Sequence, residues 1–447
     1  MIRKFNDQNI YLFFLFYFSL IIASPFLINF SLLFIGIISI YYFDIKLFRK
    51  TEILIFLIFI CSILLSTSLS KLDFEDKLSS LSWLKFFLLF IFLFLLNSNF
   101  NEYKFKKILK FFLYLIYLLI FDIFFQRILG YDLFGYELIG GRSTGPYGDE
   151  LIPGGIILLI GFVPFFLKLQ EYLFKKKIVK SIVISNIFFV SIFVTGERMN
   201  TILSFFTIFI IIFVLFKYKK FLITFLIVYF LSILLISSNY KYKGEKYFTT
   251  RFEGILLYLN LPDKFNNKVT KSKNLNLKSL ENTSFDSNFK KTIFDSPWGA
   301  HYLTAYEIWK DNRFIGAGNK SFRYDCVKYD FIKSKNKDVR CSSHPHNIYL
   351  EVLSEFGLMG FVLFLSLNLI ILYKSLRQLK KYYKVKNNNN FNYRLLISVF
   401  IVFILLIWPL KSTGRISSTF YGSIYWFYIF FLCTLNYRIK NILNNKD

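Results

Sequence analysis

An all-α integral membrane protein of about twelve transmembrane helices, with one large outer loop before the tenth, is the fold class this sequence predicts. Three observations lead there. Of 447 residues, 55% are hydrophobic and 21% aromatic, against ~45–50% apolar in a soluble domain. Apolar runs of about 18 residues or more recur along the chain, the length a helix needs to cross hydrocarbon. The basic residues gather in short clusters between alternate runs, as the positive-inside rule requires. Hydrocarbon offers the backbone no partner, so every N–H and C=O is paired internally and the spans are helices.

The spans are expected at about 9–23, 26–43, 53–70, 80–97, 108–129, 151–168, 181–196, 200–217, 221–238, 347–373, 395–411 and 420–437. The opening "MIRKFND" precedes an apolar run that leads into another without a small-x-small cleavage site, so it reads as a retained first span. Basic clusters such as Lys46, Arg49 and Lys50, then Lys104, Lys106 and Lys107, then Lys175, Lys176 and Lys177, mark cytoplasmic loops. Both termini are then cytoplasmic. The chain divides into a membrane part over 1–238, a large outer loop over 239–346 and a C-terminal membrane part over 347–447. Within the loop, about 262–293 is Asn-, Lys- and Ser-rich and reads as flexible. About 297–323 reads as helical, with apolar positions Leu303, Tyr306 and Trp309 or Ile308, and a turn at Gly316 and Gly318. The net charge of +27 follows the loops rather than a basic tail or an aromatic RNA-binding signature, so nucleic acid is not an expected partner.

The chemistry concentrates outside the membrane. All three histidines, His301, His344 and His346, lie in the loop. Cys326 and Cys341, fifteen positions apart there, can form a disulfide in an oxidising compartment; free thiols are the alternative. Asn347 is placed to cap the tenth span, with Glu351 and Glu355 at i+4 steps on its face. Ionisable groups this close to a span usually face a cavity, so His344, His346, Glu351 and Glu355 are expected to line a wet pocket; capping through the helix dipole is the plainer role for the carboxylates. Gly357 and Gly360 are read as permitting close helix packing. Isolated outer arginines add a second signal: Arg142 in "GGRSTGPYGDE", Arg198 in "VTGERMNTIL" beside Glu197, Arg251, Arg323 and Arg415. Snorkelling accounts for any one of them. Together they suit a phosphate or diphosphate, which a guanidinium grips with two donors, and the Gly-rich turn at Arg142 can offer N–H groups to an anion. A His-x-His zinc site lacks a third histidine close in sequence, and no nucleophile elbow is present for a hydrolase.

These residues resemble the O-antigen ligase and O-antigen polymerase superfamily of bacterial membrane glycosyltransferases. The span count, the long outer loop and "HPHNIYLEVLSEFGLMGF" carry the likeness, with His346, Asn347, Leu350, Glu355, Gly357 and Gly360 at its signature positions. "DNRFIGAGNKSFR" is similar to the family's D-N-P-x-x-G-x-G-x-x-x-F, with Arg313 in place of the usual proline. "GRSTGPYGDE" and "TGERMN" resemble two earlier outer turns. The resemblance implies an inverting, metal-independent sugar transfer without a cofactor, from an undecaprenyl-diphosphate-linked glycan to a lipid A–core or glycan acceptor. The site would face the periplasm from the bacterial inner membrane, among membrane lipids. It implies catalytic roles for His346, as base, and for Arg198. A further arginine is ambiguous between Arg251 and Arg323. Arg142, His301, Arg323, His344, Asn347, Glu351, Glu355 and Arg415 are expected to bind substrate. Ligase is the preferred reading and polymerase the alternative. A transporter would show inverted repeats and midplane charges, which the sequence does not.

Overall fold

A computed structural model describes residues 7–98, 101–239, 241–242, 245–246, 296–332, 334, 337–384 and 390–444. Apart from a two-residue pairing of Lys241–Tyr242 with Glu245–Lys246, the described regular elements are helical. Five helices precede the first turn of interest: α1 (Ile10–Ile22), α2 (Pro25–Tyr41), α3 (Thr51–Leu69), α4 (Phe74–Ser98) and α5 (Glu102–Leu129). Then come α6 (Pro153–Ile160), α7 (Phe162–Phe174), α8 (Ile178–Val194), α9 (Arg198–Val214) and α10 (Lys219–Asn239). The loop contributes α11 (Pro297–Asp311), and the chain closes with α12 (Ile348–Lys384), α13 (Phe391–Leu406) and α14 (Phe420–Asn444).

Each apolar stretch expected to span the membrane falls on one of these helices, except 151–168, which is shared by α6 and α7. By length and composition five of them can cross a bilayer, six if the bent pair α6–α7 counts as one. Shorter apolar helices of 10–17 residues are α1, α2, α8, α9 and α13. Their outward faces are apolar: α10 exposes Ile223, Ile227, Leu231 and Leu234, and α2 exposes Leu33, Ile37 and Ile40. Such faces suit lipid rather than water.

Local chemistry sets the ends. Ser24 accepts the Leu27 N–H and Pro25 stands where no N–H is needed, which starts α2. Ser296 and Pro297 do the same for α11. The stretch 151–168, expected as one span, is broken instead: α6 and α7 meet at 51°. Pro164 has no N–H for the Ile160 carbonyl, and a buried Tyr17 hydroxyl donates to that carbonyl in its place. Gly161 closes a wide turn on Ile156, and a Cβ there would fall 2.6 Å from the Ile157 carbonyl.

The core is aromatic. Trp83, Phe59, Phe356 and Trp426 interlock edge to face, with Trp83 5.8 Å from each of the other three. Both indole N–H groups find partners: Trp83 on the Asn319 side chain and Trp426 on the Ile416 carbonyl. Both acceptors belong to the segments that build the candidate site, so the core holds the site directly.

One sequence expectation fails here. Gly357 does not serve close packing of a continuous helix; it breaks α12, with φ +63° and ψ −168°. The segment 313–318 enters the break. Leu358 and Met359 donate to the Arg313 and Phe314 carbonyls, while Ala317 and Gly318 donate to those of Ser354 and Glu355. The groups that the broken helix leaves unpaired are satisfied by the Gly-rich turn. The two backbones touch: a Cβ on Gly316 would lie 2.4 Å from the Glu355 carbonyl oxygen and the Gly357 nitrogen. Glycine alone fits on either side.

Candidate active site

The three histidines meet. His301 comes from the buried stripe of α11, which is Ala300, His301, Thr304, Ala305 and Ile308. Of the apolar positions expected to face inward, Ile308 does, whereas Tyr306 is exposed. His344 and His346 precede α12, and the His346 ring lies 4.2 Å from His344 and 5.2 Å from His301, centre to centre. A carbonyl only accepts, so the ring nitrogens facing one carry the proton. His301 thus donates through Nδ1 to Arg340 (3.0 Å). His344 donates through Nε2 to Thr413 (2.8 Å) and accepts from Ser343 at Nδ1. His301 and His344 are buried; His346 is half-buried and the most accessible of the three. Burial, then the neighbouring His301, holds its pKa below the ordinary 6.5, with the Thr413 backbone opposing. Burial and His346 push His344 down to about 4. His344 and His346 are therefore neutral at pH 7.

His346 sits in the left-handed region, φ +57°. A β-carbon makes that conformation costly, and the Thr413 N–H fastens the His346 carbonyl at 3.0 Å. Asn347 then caps α12, accepting from Tyr349 (3.0 Å) and Leu350 (3.2 Å) while its amide reaches the Pro409 carbonyl. The segment 407–419 between α13 and α14 is thus the anvil on which His344, His346 and Asn347 are set.

Cys326 and Cys341 are bonded, S–S 2.16 Å. The link closes a small outer core of Ala300, Ile308, Phe322 and Tyr329, and Arg340 ties the same turn through the Cys326 and Val327 carbonyls. Replacing both cysteines by serine should cost about 3 kcal/mol, from the entropy of a loop of about 15 residues. Thermal unfolding with and without reductant checks this; wild type should lose the same increment on reduction.

Glu351 and Glu355 do not line a wet pocket: both are wholly buried. Arg415 donates to Glu355 at 3.1 Å and lies 3.8 Å from Glu351. Glu351 also accepts the Ile416 N–H, and Glu355 that of Lys320. The break at Gly357 explains the correction, because the inserted turn covers the face of α12 that would otherwise open to water. Arg415 keeps one nitrogen, Nη1, without a protein partner.

Arg142 and Arg198 belong to a second group, around Glu197. That carboxylate accepts from Gly154 (2.6 Å) and Asn200. Burial lifts it to about 7, against the pull of Gly154, Asn200 and Arg142. Arg198 starts α9, and its buried Nε has no partner. Part of the Gly-rich turn is already engaged: Arg142 N–H serves Ile139 and Gly145 N–H serves Gln126. Arg323 is exposed beside Tyr324. Arg251 lies outside the described residues.

Sequence reasoning missed Lys411. It sits in segment 407–419, 4% exposed, its ammonium without a hydrogen-bond partner and 5.4 Å over the Tyr421 ring. Burial pushes its pKa down to about 7. Nothing local in the sequence marks it; its burial comes from the fold of segment 407–419.

Residues 183–365 match the family model described as O-Antigen ligase. The match includes "TGERMN", the turn at Gly316 and Gly318 and the His346–Gly360 stretch, whereas "GRSTGPYGDE" lies before it. No curated protein matches the chain.

Proposed function

We propose, on the premise that this chain belongs to the O-antigen ligase superfamily, that it moves a glycan from undecaprenyl diphosphate to a lipid A–core acceptor. In this reading the chain crosses the bacterial inner membrane about twelve times with both termini in the cytoplasm, and the histidines face the periplasm. The observation that carries the proposal is His346, neutral and half-accessible beside two buried histidines whose tautomers are set by backbone carbonyls.

The step balances without a cofactor. An acceptor hydroxyl gives its proton to a ring nitrogen of His346 as its oxygen bonds to the anomeric carbon. The bond from that carbon to the diphosphate oxygen breaks, and undecaprenyl diphosphate leaves as an anion. A single displacement inverts the anomeric centre. Cations answer the charge that develops on the leaving oxygen; Arg198, with an unsatisfied buried Nε, and Lys411 are assigned to it, while Arg142 acts on the neighbouring Glu197.

Deletion of the gene, with lipopolysaccharide and lipid-linked glycan run side by side on gels, tests the reading. Bare core with glycan accumulating on undecaprenyl diphosphate is the expected result. Core capped by one repeat unit would mean a polymerase using the same donor, and an unchanged profile would overturn both.

Lys411 yields its own prediction. Lys411→Met should lower transfer by about 10²-fold, the loss of one preorganised charge at the leaving group. It should also stabilise the fold by about 1–3 kcal/mol, because an unpaired buried group is removed. The sign follows from the depressed pKa: the cost of burying the ammonium is present below about 7 and fades toward the ordinary 10.5. The gain in melting temperature should therefore be larger at pH 6.5 than at pH 9.

A further inference from the structure

At the other end of the bundle, α5, α7 and α13 converge on a cavity of about 400 Å³. Lys106 and Lys110 reach it from α5, Lys168 and Lys175 from the segment of α7, and Arg394 from α13. Glu171 is the one carboxylate among its lining residues, and it is already taken by Lys168 (2.9 Å) and Lys175 (2.7 Å). Arg394 has a buried Nε with no partner. Lys106 pairs with Glu102 at 2.5 Å just outside the lining, so five cations share two carboxylates, and the excess positive charge favours an anion among them.

The floor is apolar: Leu109, Leu113, Pro164 and Leu167. On the far side of Arg394 a second cavity of about 730 Å³ opens, lined by Phe174, Phe213, Ile397 and Phe400 among others. A soluble anion has no use for such a groove, whereas an amphiphile fills both halves. The cluster also carries the basic loop residues that mark a cytoplasmic face, where anionic lipids meet juxtamembrane cations.

We propose that this pair of cavities binds one anionic glycerophospholipid, with its phosphate between Arg394, Lys110 and Lys168 and an acyl chain along the groove at Phe174 and Phe400. The leaflet assignment rests on the topology proposed above; the binding chemistry does not.

Native mass spectrometry of the full chain, released from detergent, tests the site with cardiolipin, phosphatidylethanolamine and inorganic pyrophosphate as probes. Cardiolipin should be retained over phosphatidylethanolamine. The double variant Arg394→Gln, Lys168→Gln should weaken retention by roughly ten- to thirty-fold, two basic contacts' worth. Phe400→Asp should weaken cardiolipin without changing pyrophosphate, and far-UV circular dichroism of each variant should match wild type. Should a variant fail to fold, Lys110→Gln serves as the substitute. Equal retention of the two lipids, pyrophosphate displacing cardiolipin at equal concentration, or unchanged retention in the folded variants would each overturn the proposal. None of these readouts involves glycan transfer, so failure here leaves the transferase reading intact.

Discussion

On the proposed reaction, His346→Ala should lower transfer by about 10²–10⁴-fold, the range a positioned general base contributes. Protein level and melting temperature should barely move, because His346 is half-accessible and its fastening to segment 407–419 runs through backbone: its carbonyl accepts the Thr413 N–H. A synthetic lipid-linked donor and a purified acceptor, with product followed by mass, measure this directly. Full activity at normal protein levels would remove His346 from the chemistry. The pH profile supplies an independent check. A base must be neutral, and burial with His301 nearby holds the His346 pKa below 6.5. Transfer in wild type should therefore have its acid limb below pH 6.5, where His346 takes up a proton, and should decline on the alkaline side as Lys411 loses its charge from about pH 7 upward. Opening the pocket with His301→Ala removes one cause of that depression, so the acid limb should move up toward 6.5 while the maximal rate changes less.

How far the sequence could reach is clearest at particular residues. The apolar helices were legible because hydrocarbon leaves a chain few choices, and periodicity of any kind reports them. The gathering of the histidines was legible as composition: three in the whole chain, all in one loop. The cap at Asn347 was legible from local chemistry, since its partners lie two and three residues away. What failed was set by distant neighbours. Gly357 inside an apolar run reads equally as a packing contact and as a break, and the decision comes from segment 313–318 docking on it. The inward stripe of α11 is chosen by a small-residue face, Ala300, Thr304 and Ala305, rather than by its aromatics. Lys411 and the carboxylates of α12 have ordinary sequence surroundings, and their burial is imposed by 407–419 folding back from the next helix pair.

Arg415→Leu should be the most destabilising single substitution at the site, costing about 3–5 kcal/mol, because it leaves two buried carboxylates without their counter-ion. Glu351 and Glu355 are wholly buried, and Arg415 is the cation bonded to Glu355 at 3.1 Å. Arg415→Lys should recover little, since an ammonium cannot meet Glu355, Asn319 and Ser417 at once as the guanidinium fork does. Neutralising the group as a whole separates brace from ligand. The triple variant Arg415→Leu, Glu351→Gln, Glu355→Gln should regain most of the lost stability in a detergent melt, because a buried ionic group replaced entire is near neutral in cost. If Arg415 only braces the segment that positions His346, transfer returns with the fold. If its unpartnered Nη1 also meets the donor diphosphate, stability returns and transfer does not. The second outcome is the one expected: Nε and Nη2 are engaged by Ser417, Asn319 and Glu355, which leaves both N–H groups of the buried Nη1 open to a ligand, in a segment shared with Lys411 and Thr413, and a buried donor left unpaired is costly.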